Sequence, residues 1–124
     1  MAVLNEQIYL GDWLKYEDEN LYSRDEVNVI AGQNLATGVV VGIITASGKV
    51  TQLAPAAADG SQNAAGVLLF AVDATAADKG GVIVARHAIC HDKKIVWPGG
   101  ITGGQKTAAI AQLKALGILV REGA

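Results

Sequence analysis

From residue 27 onward, short apolar runs alternate with small, polar and glycine-bearing stretches, a spacing that predicts strands. Val27-Asn-Val-Ile-Ala31 alternates, and Gly32-Gln-Asn34 marks a turn after it. Val39-Val-Val-Gly-Ile-Ile-Thr45 is β-branched apart from one glycine. Ala46-Ser-Gly48 turns the chain and Lys49-Val-Thr-Gln-Leu53 returns, which predicts a β-hairpin. Gly42 in mid-strand predicts a bulge, or a bend where another backbone passes close. Ala54 to Asn63 is small and polar, a surface loop; Ala65 to Val72 reads as a strand, and Ala74 to Gly81 as a second loop. Val82 to Cys90 is the longest strand candidate, and Lys93 to Trp97 follows it until Pro98-Gly-Gly100 stops the run.

The period changes once. Thr102 and Gln105 fit a capping box, in which the hydroxyl and the amide each satisfy an orphan backbone N–H. Lys106 to Leu116 is Ala-rich with Ala109, Ile110, Leu113 and Leu116 on one side, and Gly117 stands where a left-handed cap is wanted. Ile118-Leu-Val120 closes as a short strand. Many short strands, a helix over about 103–116 and a final strand predict a mainly β domain, α+β at its margin.

Residues 1–26 differ from this body. They hold Tyr9, Trp13, Tyr16 and Tyr22, four of the six aromatics, beside the acid run Glu17-Asp18-Glu19. Ile8, Leu10, Leu14 and Tyr16 alternate as a strand does, whereas Leu10, Trp13, Leu14 and Leu21 fit a helical face equally well. The segment is too apolar for an inert tail and too acidic for an ordinary core element. Residues 1–21 are therefore expected to form an acidic, aromatic arm, flexible when free, and residues 22–124 a single domain.

Composition sharpens the picture in three ways. Hydrophobic residues are 51% of 124 but aromatics are few, so the core must be aliphatic. The net charge of −2 divides into −5 over residues 1–26 and +3 over the rest, with no basic stripe of the kind nucleic acid demands. Cys90 is the only cysteine, the first residues lack the basic and apolar regions of a secretory signal, and no apolar run approaches the ~20 residues of a membrane span. A soluble chain made in the cytoplasm is expected.

Candidate chemistry is sparse. His87, Cys90 and His91 fall within five residues, but zinc wants about four ligands and no second Cys/His pair exists. A Cys–His nucleophilic pair lacks an orienting third group. Asp59, Asp73, Asp78 and Asp92 lie in or beside loops, where Asp serves turns. Gly99-Gly100-Ile-Thr-Gly-Gly104 opens the helix and precedes Lys106-Thr107, yet Gln105 interrupts the spacing of a phosphate loop. Trp97 reads as a plug sealing a core poor in aromatics, and Pro98 as the end of its strand. No metal and no cofactor is expected.

Several stretches taken in order resemble the head decoration proteins of lambdoid tailed bacteriophages. They are Gly38 to Lys49, Ala56 to Gln62, Ala65-Gly-Val-Leu68, Val84-Ala-Arg-His-Ala88, Val96-Trp-Pro98 and Gln105 to Leu113, with Tyr22 to Val27 as lead-in. The likeness runs from about Tyr22 to Arg121 and resides in the order of the stretches, no one of which is a chemical signature. It implies a compact β-clip-like barrel that forms homotrimers, carries no catalytic residues, and sits on the outer surface of the virion's capsid. Its partners would be the major capsid protein and itself, with neither membrane nor nucleic acid. Relatives use an N-terminal arm that orders on the capsid; the lambda member's is rich in Thr, Ser and Pro, whereas this one is acidic and aromatic. Here the arm, about residues 3–16, is expected to add a strand to the capsid protein or drape over it, anchored by Ile8, Tyr9, Leu10, Trp13, Leu14 and Tyr16. The other reading is a small-ligand or phosphate-binding β domain, even an enzyme, built on the Gly-rich loops.

Overall fold

The computed structural model describes residues 13–17 and 24–121. Its elements in chain order are β1 (Leu14–Glu17), β2 (Arg24–Val29), β3 (Gln33–Leu35), β4 (Val40–Ile43), β5 (Val50–Gln52), β6 (Gly66–Leu68), β7 (Val72–Ala74), β8 (Lys79–Val84), β9 (Ala88–His91), α1 (Gly103–Ala115) and β10 (Ile118–Arg121). The fold is mainly β with a C-terminal helix, as the patterning predicts. Five strands close a barrel in the order β2-β5-β4-β6-β8; β1, β9 and β10 form a second sheet, and β3 pairs with β7.

The valine-rich runs are continuous because the barrel wall is buried on both faces. Successive side chains on a strand point to opposite sides. Val41 on β4, Leu68 on β6 and Ile83 on β8 thus fall in one apolar cluster, while Val40, Val67 and Val84 fall in another that the β1–β9–β10 sheet and α1 cover. A strand buried on both faces shows no polar alternation.

The hairpin forms as expected, with Val41 opposite Gln52 and Ile43 opposite Val50, and Gly48 turns at φ 72°. Gly42 marks a close backbone passage: a Cβ there would stand 2.8 Å from the Cα of Ser61, itself buried. The helix is capped as its sequence dictates, since Thr102 Oγ1 accepts from Gln105 N–H at 3.1 Å and Gln105 Oε1 accepts from Thr102 N–H at 3.0 Å. Gly117 takes φ 86° and donates its N–H to Lys114 O.

Four expectations are corrected. The run Val82 to Cys90 is two strands, broken where His87 adopts φ 53°; β9 then leaves the barrel to pair with β1 and β10. The run Ala65 to Val72 breaks after Leu68, so that β7 can pair with β3. The loop expected over Ala74 to Gly81 is shorter, because β8 starts at Lys79 opposite Val29. Lys93 to Trp97 is no strand: it turns on Lys94 and Ile95 N–H bonds to His91 O and keeps a lone bridge between Val96 and Val39.

Candidate functional site

Of the six candidate anchors, Ile8, Tyr9 and Leu10 lie outside the described residues. Trp13 is placed in the core of the chain itself, 0% exposed. Its indole N–H donates to Thr37 Oγ1 at 3.0 Å, and that hydroxyl donates to Leu69 O at 2.6 Å. Gly38, at φ 87°, leaves the room: a Cβ there would stand 3.1 Å from Trp13 Cδ1. Leu14 is half-buried against the same cluster. Leu14, Tyr16 and Glu17 pair with Cys90, Ile89 and Ala88 of β9, with an irregularity between Leu14 and Tyr16. Residues 13–17, the part of the expected arm that is described, thus join the body. The physical reason is burial, since an indole is among the largest apolar groups a chain can remove from water.

Pro98 ends no strand, because Lys93 to Trp97 forms none. Trp97 packs partly buried against the core, and Lys106 Nζ stands 5.4 Å from the centroid of its ring. Lys106 also pairs with Asp92 at 3.2 Å, and Thr107 Oγ1 donates to Gly103 O. The Gly-rich approach to the helix thus leads into a capping box, and the Lys106 and Thr107 side chains that follow it are engaged within the chain.

Asp59 and Asp73 accept the N–H and hydroxyl of Ser61 and Thr75. Asp78 accepts from Ala31 N–H and pairs with Lys49. Hydrogen bonds from Ser61 and Thr75, and from Lys49 and Ala31 at Asp78, hold these three carboxyls below their ordinary range. Cys90 is fully buried, and burial pushes its thiol up to about 12, far from the thiolate a nucleophile requires. His87 stands at the corner between β8 and β9, so it does not share a strand face with His91. Among the described residues no three His, Cys, Asp or Glu side chains gather as metal ligands would.

Sequence reasoning missed two surfaces. Ile43 and Leu116, 37% and 38% exposed, line an open groove at one end of the barrel with Val27, Ala65 and Ala115, edged by the Arg86–Asp25 ion pair. Phe70, 49% exposed, stands on the turn between β6 and β7. Nothing in the local pattern separates these from core residues, because each continues an apolar run. Thr37 and Gly38, which accommodate the Trp13 ring, gave no more signal than a turn.

The described residues form a small β barrel, buried on both faces of its wall, in which the candidate Asp, Lys and Thr side chains serve turns, a helix cap and ion pairs. The chain belongs to the bacteriophage lambda head decoration protein D family, whose model matches residues 3–118, nearly its whole length. Membership gives it a structural role in decorating the phage capsid. The match begins ten residues before Trp13, so the N-terminal segment is part of the family pattern as well. No curated protein matches the chain by sequence. None of the helices described is long and apolar enough to cross a membrane.

Proposed function

We propose that three copies of this chain form a trimer that seats on the threefold and quasi-threefold positions of an expanded head. There it holds neighbouring capsomers together against the pressure of packaged DNA. The family match over residues 3–118 is the observation that carries this reading. Its partners are the major capsid protein and its own copies, and its place is the outside of the virion.

In this proposal residues 1–12 are the part of the arm that reaches the shell, and residues 13–17 are its root. Trp13 and Leu14 are engaged by the chain's own core, so Ile8, Tyr9 and Leu10 are left as the anchors of the reaching part. Ordering twelve residues costs on the order of 1–2 kcal/mol each in backbone entropy. Three buried apolar side chains return roughly 1.5–3 kcal/mol each, and each added strand hydrogen bond about 1 kcal/mol net. One arm therefore comes close to breaking even. Three arms on one rigid trimer raise avidity by about 10²–10⁴ where all can engage, which makes trimerisation part of the mechanism.

Deleting residues 2–12 tests the arm. Occupancy of expanded shells that lack their decoration is expected to drop by at least about tenfold at limiting protein; undiminished occupancy would remove the arm from the account.

A further inference from the structure

We propose that the Asp59–Gly60 peptide is a latent site of isoaspartate formation, and that the loop carrying it keeps the folded chain from reacting there. The site lies in the folded body and is independent of the capsid reading. Asp59–Gly60 is the sole Asp-Gly pair in the sequence, and no Asn-Gly pair occurs. Asp before Gly is open to this chemistry because no side chain screens the following nitrogen. The Gly60 nitrogen attacks Asp59 Cγ, the amide proton and the carboxyl hydroxyl leave as water, and a five-membered succinimide forms. Water reopens the ring at either carbonyl. One opening restores Asp59; the other gives isoaspartate, with the same atoms but a main chain one carbon longer.

The fold uses both residues of the labile pair. Gly60 takes φ 107°, and a Cβ on it would collide with Thr45 Oγ1 and stand 2.7 Å from Ile43 O. Asp59 Oδ1 accepts the Ser61 hydroxyl at 2.6 Å and the Ser61 N–H at 3.0 Å. Ser61 is 1% exposed and set against Gly42, so exchanging either residue of the pair would disturb its seat.

The same contacts supply the restraint. The attacking group, Gly60 N–H, is held by Gln62 Oε1 at 2.7 Å. The carboxyl loses hydroxide from its protonated form, and the bonds from Ser61 keep it ionised to lower pH than usual. On either side the backbone is tied down, with Thr45 N–H bonded to Asp59 O at 2.9 Å and Ala54 N–H to Ser61 O at 3.0 Å. Reaction therefore needs the loop to open, freeing the amide from Gln62 and the carboxyl from Ser61. Isoaspartate would not fit this loop again. Its former backbone carbonyl becomes a free carboxylate where Thr45 N–H now bonds, and its extra carbon falls just before the buried Ser61.

The experiment ages the full chain at one mildly acidic pH, folded in buffer and unfolded in urea. Isoaspartate is counted by methyl transfer with an isoaspartyl methyltransferase and placed by peptide mass mapping. The unfolded chain is expected to accumulate it at residue 59, and the folded chain at least about tenfold more slowly. Folded Ser61→Ala, which removes one bond to the carboxyl, should react about two- to tenfold faster than the folded parent, while the two unfolded chains react alike. Gln62→Ala, which frees the Gly60 amide, should do the same and serves where Ser61→Ala fails to fold. Thr102→Ala, which weakens the chain through the helix cap, should leave the folded rate unchanged. Equal rates in the folded and unfolded chains, loop variants no faster than the parent, or isoaspartate mainly at another residue would each overturn the inference. So would a Thr102→Ala rate raised as much as that of the loop variants, since global unfolding and not the loop would then govern the reaction.

Discussion

The barrel and the sheet that leans on it are built from the same aliphatic residues yet hold together differently. In the barrel each of the five strands has two neighbours, and hairpins such as β4–β5 join partners close in sequence. In the other sheet β9 is flanked by β1, some 70 residues earlier in sequence, and by β10, some 30 later. Closure removes edges altogether, whereas a three-stranded sheet keeps two. The barrel is thus a self-contained body, and the sheet is the place where the first and last described strands, β1 and β10, are fastened on either side of β9.

The largest effect should come from breaking the barrel. Gly42→Val would drive a branched side chain into the Ser61 backbone, and a loss of more than about 3 kcal/mol in urea unfolding is expected. Trp13→Ala should strike the sheet instead. A loss of about 2–3 kcal/mol is expected, below the ~3–5 typical of a buried Trp because an edge strand can open without the rest. Hydrogen exchange would separate the two, with Leu14–Glu17 losing protection while β4 and β6 keep theirs. Thr102→Ala, which removes the cap of α1 behind the sheet, should cost about 1 kcal/mol in thermal unfolding.

The two regions should also weaken at opposite ends of the pH scale. Asp59 and Asp78, in loops beside the barrel, and Asp73, on the exposed face of β7, have carboxyls lowered from 3.8 by hydrogen bonds. The stability they contribute is complete above that value and is lost as pH falls below it. Asp73→Asn should make the acid decline slightly shallower. Cys90, in the sheet, is raised from 9.0 to about 12 by burial. Its contribution is complete below 9.0 and declines as pH rises from there toward 12, because the unfolded thiol ionises first. Cys90→Val should flatten that alkaline decline, and the native thiol should resist a thiol reagent at pH 8.

What the sequence disclosed follows the same division. The hairpin, the capping box at Thr102 and Gln105, the cap at Gly117 and the close passage at Gly42 were all legible, because each is a local rule satisfied by neighbours in sequence. The break at His87 was not. Ala85-Arg-His87 carries no turn residue, and the left-handed backbone is held by tertiary packing against Gly117, where a Cβ would stand 2.8 Å from the His87 ring. The burial of Trp13 was not legible for a similar reason. Acidic neighbours suggested a surface, while the pocket that takes the ring comes from Thr37, Gly38 and Leu69, far along the chain. Of the candidate surface, the sequence offered the arm but neither Phe70 nor the Ile43–Leu116 groove, since exposure of an apolar residue depends on where a run ends in space.

The most direct test is a titration of purified protein onto expanded heads stripped of decoration, followed by imaging of the shells. Saturable density in threes over the threefold and quasi-threefold points, together with heads that survive higher internal DNA pressure, is the expected result. Shells that stay bare at saturating protein, or density at other positions with no gain in strength, would contradict the account.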